Sequence, residues 1–207
     1  LILAETGIHG IVSITDNGTA NRDIYVESEQ EVCGLLESAG VDQVDYRTAI
    51  VNPLVRNEEI LYQLNGMSMY SSTNTEEMWN FVKNMGFENL ENRFQYAGST
   101  EVTDMLLGIR YLFCRNTRKL HTVYKKIGES QSFDLYENPR ALRSGYMVSD
   151  SVLDYAMEGT DPLEVQNRLL SGIVGKRLYK MQTVNSDTAL IGNTTFNIHL
   201  KKGEHGY

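Results

Sequence analysis

The chain has 207 residues, of which 41% are apolar, and its 27 acidic and 19 basic side chains give a formal charge of -8 at pH 7. This length allows a hydrophobic core without disulfides or metals. The acidic balance argues against nucleic acid as a partner, because binding to a phosphate backbone needs clustered basic side chains and the basic runs here are pairs such as Lys125-Lys126.

No apolar stretch of the sequence approaches the ~20 residues that a membrane span needs. The sequence therefore predicts a soluble chain. Residues 1–4 are apolar and are followed by Glu5, which is the pattern expected for the end of a trimmed membrane segment. We therefore interpret the chain as a piece of a longer protein. We expect Cys33 and Cys114 to be small buried hydrophobic residues, and a disulfide between them stays open.

The first half of the chain carries signals for helices alternating with strands. A capping-box pattern at Ser28-Glu29-Gln30-Glu31 and a stop at Gly40 predict a helix over 29–39. Residues 46–51 are rich in β-formers and end before Pro53, which predicts a strand. The hydroxyl-rich residues 70–75 lead into a second amphipathic helix at 75–85.

The next signals come in the order helix, strand, hairpin. A third helix begins near Ser99-Thr100 and ends at Gly108, and the apolar run 109–114 after it is typical of a buried strand. Segments 123–127 and 133–138 flank residues 128–131 and predict a β-hairpin, and residues 146–148 predict a further short strand.

Near the end of the chain, the sequence pattern changes from a last predicted helix to β-like alternation. Asp161 and Pro162 predict a helix start, and the helix runs to about Gly175. Residues 178–202 alternate as β-strands do. We predict an α/β fold, with α+β as the alternative, in which helices pack on a mixed β-sheet: one domain at 1–176 and the opening strands of a β-rich extension at 177–207.

Catalytic motifs of self-sufficient enzymes are absent from the sequence, which has no GxGxxG, GxxxxGK[ST], HExxH or GxSxG pattern. His9, His121, His199 and His205 are scattered; His199, His205 and Glu204 could converge on a metal, but solvated side chains are the preferred interpretation. We expect no metal and no cofactor.

A pair of carboxylates, Asp150 and Asp154, would share a helix face and could act in glycoside hydrolysis. Exposed capping acids are the preferred interpretation of this pair. The segment 70–75 offers hydroxyls and oriented N–H groups to an anion at a helix start, although its Ser and Thr side chains could simply cap the helix.

Several passages, in order, carry a family resemblance. They are residues 65–73, Met85-Gly86-Phe87, residues 104–112, 135–139, 144–148 and 162–167, with Tyr46-Arg47 before them. Together they resemble the YfhO family of bacterial multi-span membrane proteins over residues 3–179. Each passage alone is a weak signal, and the ordered set is specific.

This resemblance implies a membrane glycosyltransferase similar to the GT-C type. Such proteins are linked to sugar decoration of lipoteichoic or wall teichoic acid in the cell envelope of Gram-positive bacteria, with an undecaprenyl-phosphate sugar as donor. The chain would be the large domain on the extracytoplasmic face of the cell membrane, with the rest of the same protein and the donor or polymer as partners. The family's catalytic acid is expected on an early loop near the first membrane helices, which no motif here matches, so no catalytic residue is assigned.

Three functions follow from these observations. The first is a non-catalytic domain that binds or positions the polymer acceptor, with Tyr70, Ser71 and Ser72 against phosphate or sugar and Arg47 as counter-charge. The second is a glycan or teichoic-acid binding or assembly module outside the active cleft. The third, an autonomous hydrolase, needs a deep pocket around Asp150 and Asp154. The alternative interpretation of residues 70–72 is a buried turn that holds the following helix in place.

Overall fold

The computed structural model of the chain describes residues 2–16, 21–41, 43–90, 92–115, 123–155 and 161–175. Its helices are α1 (Ile2–Asp16), α2 (Arg22–Ala39), α3 (Glu58–Leu61), α4 (Glu76–Asn84), α5 (Glu101–Leu106) and α6 (Pro162–Val174), with a 3-10 turn at Asp150–Val152. Its strands are β1 (Arg47–Ile50), β2 (Met69–Tyr70), β3 (Asn89–Leu90), β4 (Arg93–Phe94), β5 (Ile109–Arg115), β6 (Lys125–Glu129) and β7 (Phe133–Glu137).

A four-stranded sheet of mixed direction forms the centre of the fold, with its strands in the order β1-β5-β7-β6. Strands β1 and β5 are parallel, and β5-β7 and β6-β7 are antiparallel. A smaller antiparallel sheet has the order β2-β4-β3. The predicted α/β class with a mixed sheet is confirmed.

The central sheet carries a hydrophobic core on each face, because successive side chains of a strand point to opposite sides. Ala49 and Leu112 belong to the core that α4, α5 and α6 cover, and Ile50 and Phe113 belong to the core under α2 and the α3 region. Strand β5 is therefore buried on both faces, which explains its continuous apolar run.

The helix boundaries at α4, α5 and α6 confirm the local signals. The Thr75 side chain accepts a hydrogen bond from the backbone N–H of Met78 and caps α4. Thr100 and Thr103 form a reciprocal capping box at the start of α5. Asp161 caps α6 with Pro162 in its first turn, and Gly175 ends it with a left-handed backbone.

The predicted start of α2 is wrong. The helix begins at Arg22 with Asn21 as its N-cap, so the capping-box pattern at 28–31 lies inside the helix and Ser28 is buried. The first two turns bury nothing before Ser28 and give no apolar periodicity to detect. The predicted end is confirmed, since Gly40 has a positive φ of 61°.

Two β predictions need correction. The hairpin is present, but Gly128 and Glu129 belong to β6, so the turn lies at 130–132. Residues 146–148 form no strand: they have no strand partner, and the Tyr146 hydroxyl instead donates to the carbonyl of Leu106. A short strand needs a neighbouring strand for its backbone hydrogen bonds.

The predicted carboxylate pair and buried cysteines are only partly present. Asp150 opens the 3-10 turn and Asp154 lies in the turn that follows, so they do not share a helix face, and both are exposed. Cys114 is buried in β5, as predicted, whereas Cys33 is exposed on α2, and no disulfide joins them. The strand-like residues 178–202 and the predicted extension at 177–207 lie outside the described residues.

Helix α1 buries none of its side chains and exposes Leu3 to 90% and Ile14 to 73%. Within the ranges that the structure describes, no helix has both the length and the apolar character that a bilayer crossing requires.

The Glu31 carboxylate ties α2 to the hairpin turn. It accepts hydrogen bonds from the backbone N–H of Ser132 at 2.8 Å and from the Ser132 hydroxyl at 2.9 Å, and another from the Ser130 hydroxyl. Partial burial opposes ionisation, but the hydrogen bonds from Ser130 and Ser132 outweigh it and hold the pKa of Glu31 below its usual range.

A lowered pKa in the folded state makes stability depend on pH. The stabilisation from ionised Glu31 is complete above the pKa that this carboxyl has in the unfolded chain. It is lost as the pH falls through the lower pKa that Glu31 has in the folded chain. We expect the free energy of unfolding to fall less steeply for Glu31→Gln than for the unchanged chain between about pH 5 and pH 3. Denaturant titrations at each pH measure this, and equal slopes for the two proteins would contradict it.

Candidate functional site

A cavity of about 980 Å³, which we call the α4 cleft, lies between α4, the start of β1 and the segment before β2. Its volume falls in the range of small-ligand sites. Its polar side chains are those of Arg47, Asn65, Thr75, Glu77, Asn80 and Asn84. Its apolar side chains are those of Met67, Met69, Met78, Phe81, Phe94 and Leu107. Amide and charged groups beside aromatic and thioether surface suit a carbohydrate, which has both polar edges and apolar faces.

Helix α4 supplies one wall because its two faces differ. Glu77, Asn80, Phe81 and Asn84 follow helical spacing and line the cleft. Val82 and Met85 point the other way and are fully buried in the core. Burial of the apolar face therefore fixes which side chains the helix presents to the cleft.

A buried carboxylate positions the opposite wall. Glu59 is 1% exposed and accepts hydrogen bonds from the backbone N–H groups of Ile50 at 3.0 Å and Ser68 at 2.7 Å. Burial outweighs these bonds and raises the pKa of Glu59. A Cβ at Gly66 would collide with the Glu59 side chain, so this wall needs glycine at 66. The contacts hold Met67 and Met69 at the cleft.

Arg47 lines the cleft and lies half-buried at the start of β1. Its backbone N–H donates to the carbonyl of Gly108, and its guanidinium donates to the carbonyl of Leu107 at 2.5 Å. In the part of the chain that the structure describes, no carboxylate lies within 4.0 Å of this guanidinium. A fixed guanidinium with donors to spare can bind an anionic oxygen.

The structure does not place the four predicted binding residues in one cavity. Tyr70 lines a much smaller neighbouring pocket, where the Arg56 guanidinium lies 4.7 Å from its ring centre; Met69 and Phe94 line both cavities. The Tyr70 backbone N–H donates to the Asn57 side-chain oxygen at 2.7 Å.

The hydroxyls after Tyr70 are used locally. The Ser71 hydroxyl lies 2.8 Å from that of Thr73 and accepts from the Thr73 backbone N–H, while Ser72 is exposed. These contacts suit a turn that leads into α4. Binding by Tyr70, Ser71 and Ser72 stays a prediction.

Sequence reasoning did not single out Asn65, Glu77, Asn80 or Asn84. The detectable signal was the polar face of the predicted helix, where residues 77, 80 and 84 recur at helical spacing. Asn65 opens the family passage 65–73, but no sequence pattern indicated a binding role for it, because its position at the cleft depends on a tertiary contact in which its amide donates to the carbonyl of Tyr46 at 3.2 Å.

A second buried carboxylate has a structural role. Asp104 is fully buried and accepts hydrogen bonds at 2.7 Å from the hydroxyls of both Tyr96 and Tyr124, and another from Ser99. Burial raises the pKa of Asp104, although these donors lower it. It lines neither of the cavities described above, and we assign it to the cohesion of α5 with its neighbours.

Metal ligands are not gathered in the described residues: no group of three His, Cys, Asp or Glu side chains there could hold an ion. Of the residues weighed as ligands, His9 lies on exposed α1, and His121, His199, Glu204 and His205 lie outside the described ranges.

Comparison with known proteins identifies the family. The model of the family described as bacterial membrane protein YfhO matches residues 1–203. No curated protein and no solved structure matches the chain. The family match covers the α4 cleft and almost the whole sequence, and it agrees with the ordered passages found at residues 3–179. The chain therefore belongs to the YfhO family of bacterial membrane proteins.

Proposed function

We propose that the chain is the extracytoplasmic part of a membrane glycosyltransferase that decorates lipoteichoic or wall teichoic acid from an undecaprenyl-phosphate sugar donor. In this proposal the domain is non-catalytic and binds the polymer acceptor in the α4 cleft. Membership of a bacterial membrane protein family supports the membrane part of the proposal. The glycosyltransferase activity, the donor and the acceptor rest on the family resemblance.

The observation that carries the binding role is Arg47 in the α4 cleft. Teichoic acids join sugar or polyol units through phosphates, so a binding site needs one cation among groups that hydrogen-bond hydroxyls. Arg47 supplies the cation, and the amides of Asn65 and Asn80 with the Glu77 carboxylate supply donors and acceptors for hydroxyls. Phe81 offers an aromatic face to a sugar ring.

The test is glycosylation in cells that lack the protein and are complemented with variants of the full-length protein. Arg47→Gln is expected to reduce teichoic-acid glycosylation by tenfold or more, since a charge-assisted hydrogen bond contributes about 1.5–3 kcal/mol. Arg140→Gln is the matched control, because it removes the same charge as Arg47→Gln at a side chain that is 66% exposed and does not line the cleft. Equal activity of both variants would contradict the proposal.

A second pair of residues tests the remaining part of the predicted site. If Ser71 and Ser72 contact phosphate or sugar, the double variant Ser71→Ala/Ser72→Ala lowers glycosylation while the protein still folds. Normal glycosylation would limit acceptor binding to the α4 cleft. Loss of acceptor binding without loss of glycosylation, for any cleft variant, would favour a glycan-binding or assembly module outside the active cleft.

A further inference from the structure

The α4 cleft holds two opposite charges that do not neutralise each other. Among the described residues that line it, Arg47 is the one cation and Glu77 the one carboxylate. Over the same described ranges, no carboxylate lies within 4.0 Å of the Arg47 guanidinium, and no nitrogen of Lys, Arg or His lies within 4.0 Å of the Glu77 carboxylate. Both charges are therefore open to a ligand.

Helix α4 supplies no cation of its own to Glu77. The neighbours of Glu77 along the helix surface are the residues three and four positions later, Asn80 and Phe81, and neither is basic. Lys83, the basic residue of the last turn, lies over the Trp79 ring, 4.7 Å from its centre, and does not line the cleft. The charge of Glu77 is therefore directed at the contents of the cavity.

A ligand that carries only negative charge matches this pair of charges poorly. A cavity of about 980 Å³ has a width on the order of 10 Å, which is about one Debye length at physiological ionic strength, so the Glu77 charge still repels a phosphate bound at Arg47. A neutral hydroxyl can donate a hydrogen bond to the Glu77 carboxylate but cannot offset its charge. A positively charged group on the ligand does both.

We propose that the α4 cleft selects ligand units that carry a primary amine as well as a phosphate, with the phosphate at Arg47 and the ammonium at Glu77. The inference rests on the proposed function, from which it takes the phosphate at Arg47, and it adds the amine as a second element of recognition. An ammonium has three donors and no acceptor, so it can bind the Glu77 carboxylate and a neighbouring amide oxygen such as that of Asn80.

Two soluble phosphodiesters that differ by one positive charge test the inference. Glycerophosphoethanolamine carries the amine, and glycerophosphoglycerol carries hydroxyls in its place. NMR titrations of the 207-residue chain are expected to show about threefold tighter binding of glycerophosphoethanolamine, which is the size of an ion pair at an exposed carboxylate. Equal affinities would overturn the inference and leave phosphate binding at Arg47 intact. Binding of neither probe would also overturn it, whereas the proposed function fails only if the polymer does not bind either.

Two adjacent acidic residues provide the variant and its control. Glu77→Gln keeps the size of the side chain, removes its charge and is expected to make the two phosphodiesters bind equally. Glu76→Gln should keep the preference, because Glu76 is exposed in the same first turn of α4 but does not line the cleft. Both substitutions remove a negative charge that favours the start of the helix, so an effect on helix stability would appear in both. A preference that survives Glu77→Gln, or that both variants lose, would contradict the inference.

A further titration identifies the source of the amine. Acetylation of purified, amine-bearing teichoic acid converts each ammonium to a neutral amide. Weaker binding of the acetylated polymer, with no such difference in Glu77→Gln, would assign amine-bearing units of the polymer as the ligand. Equal binding of the polymer before and after acetylation, with the preference for glycerophosphoethanolamine retained, would assign a small free zwitterion instead.

Discussion

Replacing Phe113 by alanine is expected to lower the free energy of unfolding by about 3–5 kcal/mol. Phe113 is fully buried in β5, pairs across the sheet with β1 and β7, and packs edge-on against Phe133 with ring centres 5.9 Å apart. Strands on both sides prevent collapse around the vacated ring, so most of the cavity remains. Denaturant unfolding followed by circular dichroism measures the change.

The control for this variant is Leu153→Ala. Leu153 is 86% exposed, so its truncation removes little buried surface and should change the free energy of unfolding by less than about 0.5 kcal/mol. A loss below about 1 kcal/mol for Phe113→Ala would mean that the core on the α2 side of the sheet is not packed as described.

Replacing Glu58 by alanine is expected to cost about 3–5 kcal/mol of stability. The Glu58 side chain is fully buried and pairs with the Arg115 guanidinium, and it also accepts from the Tyr62 hydroxyl at 2.8 Å and from the backbone N–H of Leu54 at 2.6 Å. Its removal takes this ion-pair partner away from the largely buried Arg115 guanidinium. Chemical denaturation gives the loss.

A double substitution separates the cost of removing the ion-pair partner of Arg115 from the cost of losing the other contacts of Glu58. In Glu58→Ala/Arg115→Met the unpaired charge is gone, so part of the stability should return. Glu129→Ala is the exposed counterpart, since Glu129 pairs with Lys126 at the surface, and it should cost less than about 1 kcal/mol. A loss for Glu58→Ala as small as that for Glu129→Ala would contradict a buried ion pair here.

Local signals predicted most of the fold where they act over a few residues. Thr75 and Asp161 cap helices as expected, and the apolar run of β5 forms a strand buried on both faces. The start of α2 was missed because its first turns carry no buried residue before Ser28. The strand expected at 146–148 was wrong because β-rich composition cannot show whether a partner strand is near.

The candidate site was less predictable because its parts are distant in sequence. Arg47 was singled out as a cation, but its anchor, the Leu107 carbonyl, lies 60 positions away. Glu58 and Glu59 look like ordinary surface acids in the sequence, and only the fold shows that both are 1% exposed. Tertiary contacts of this kind leave no periodicity or spacing to detect.

The central claim is that the α4 cleft binds a phosphate-bearing glycan through Arg47. Backbone-amide and side-chain NMR shifts of the 207-residue chain, recorded while purified teichoic acid is added, test it most directly. The account predicts saturable shifts at Asn65, Asn80 and Phe81 that Arg47→Gln abolishes and Arg140→Gln preserves. Saturable shifts elsewhere with the cleft unchanged, or no shifts at any polymer concentration, would contradict it.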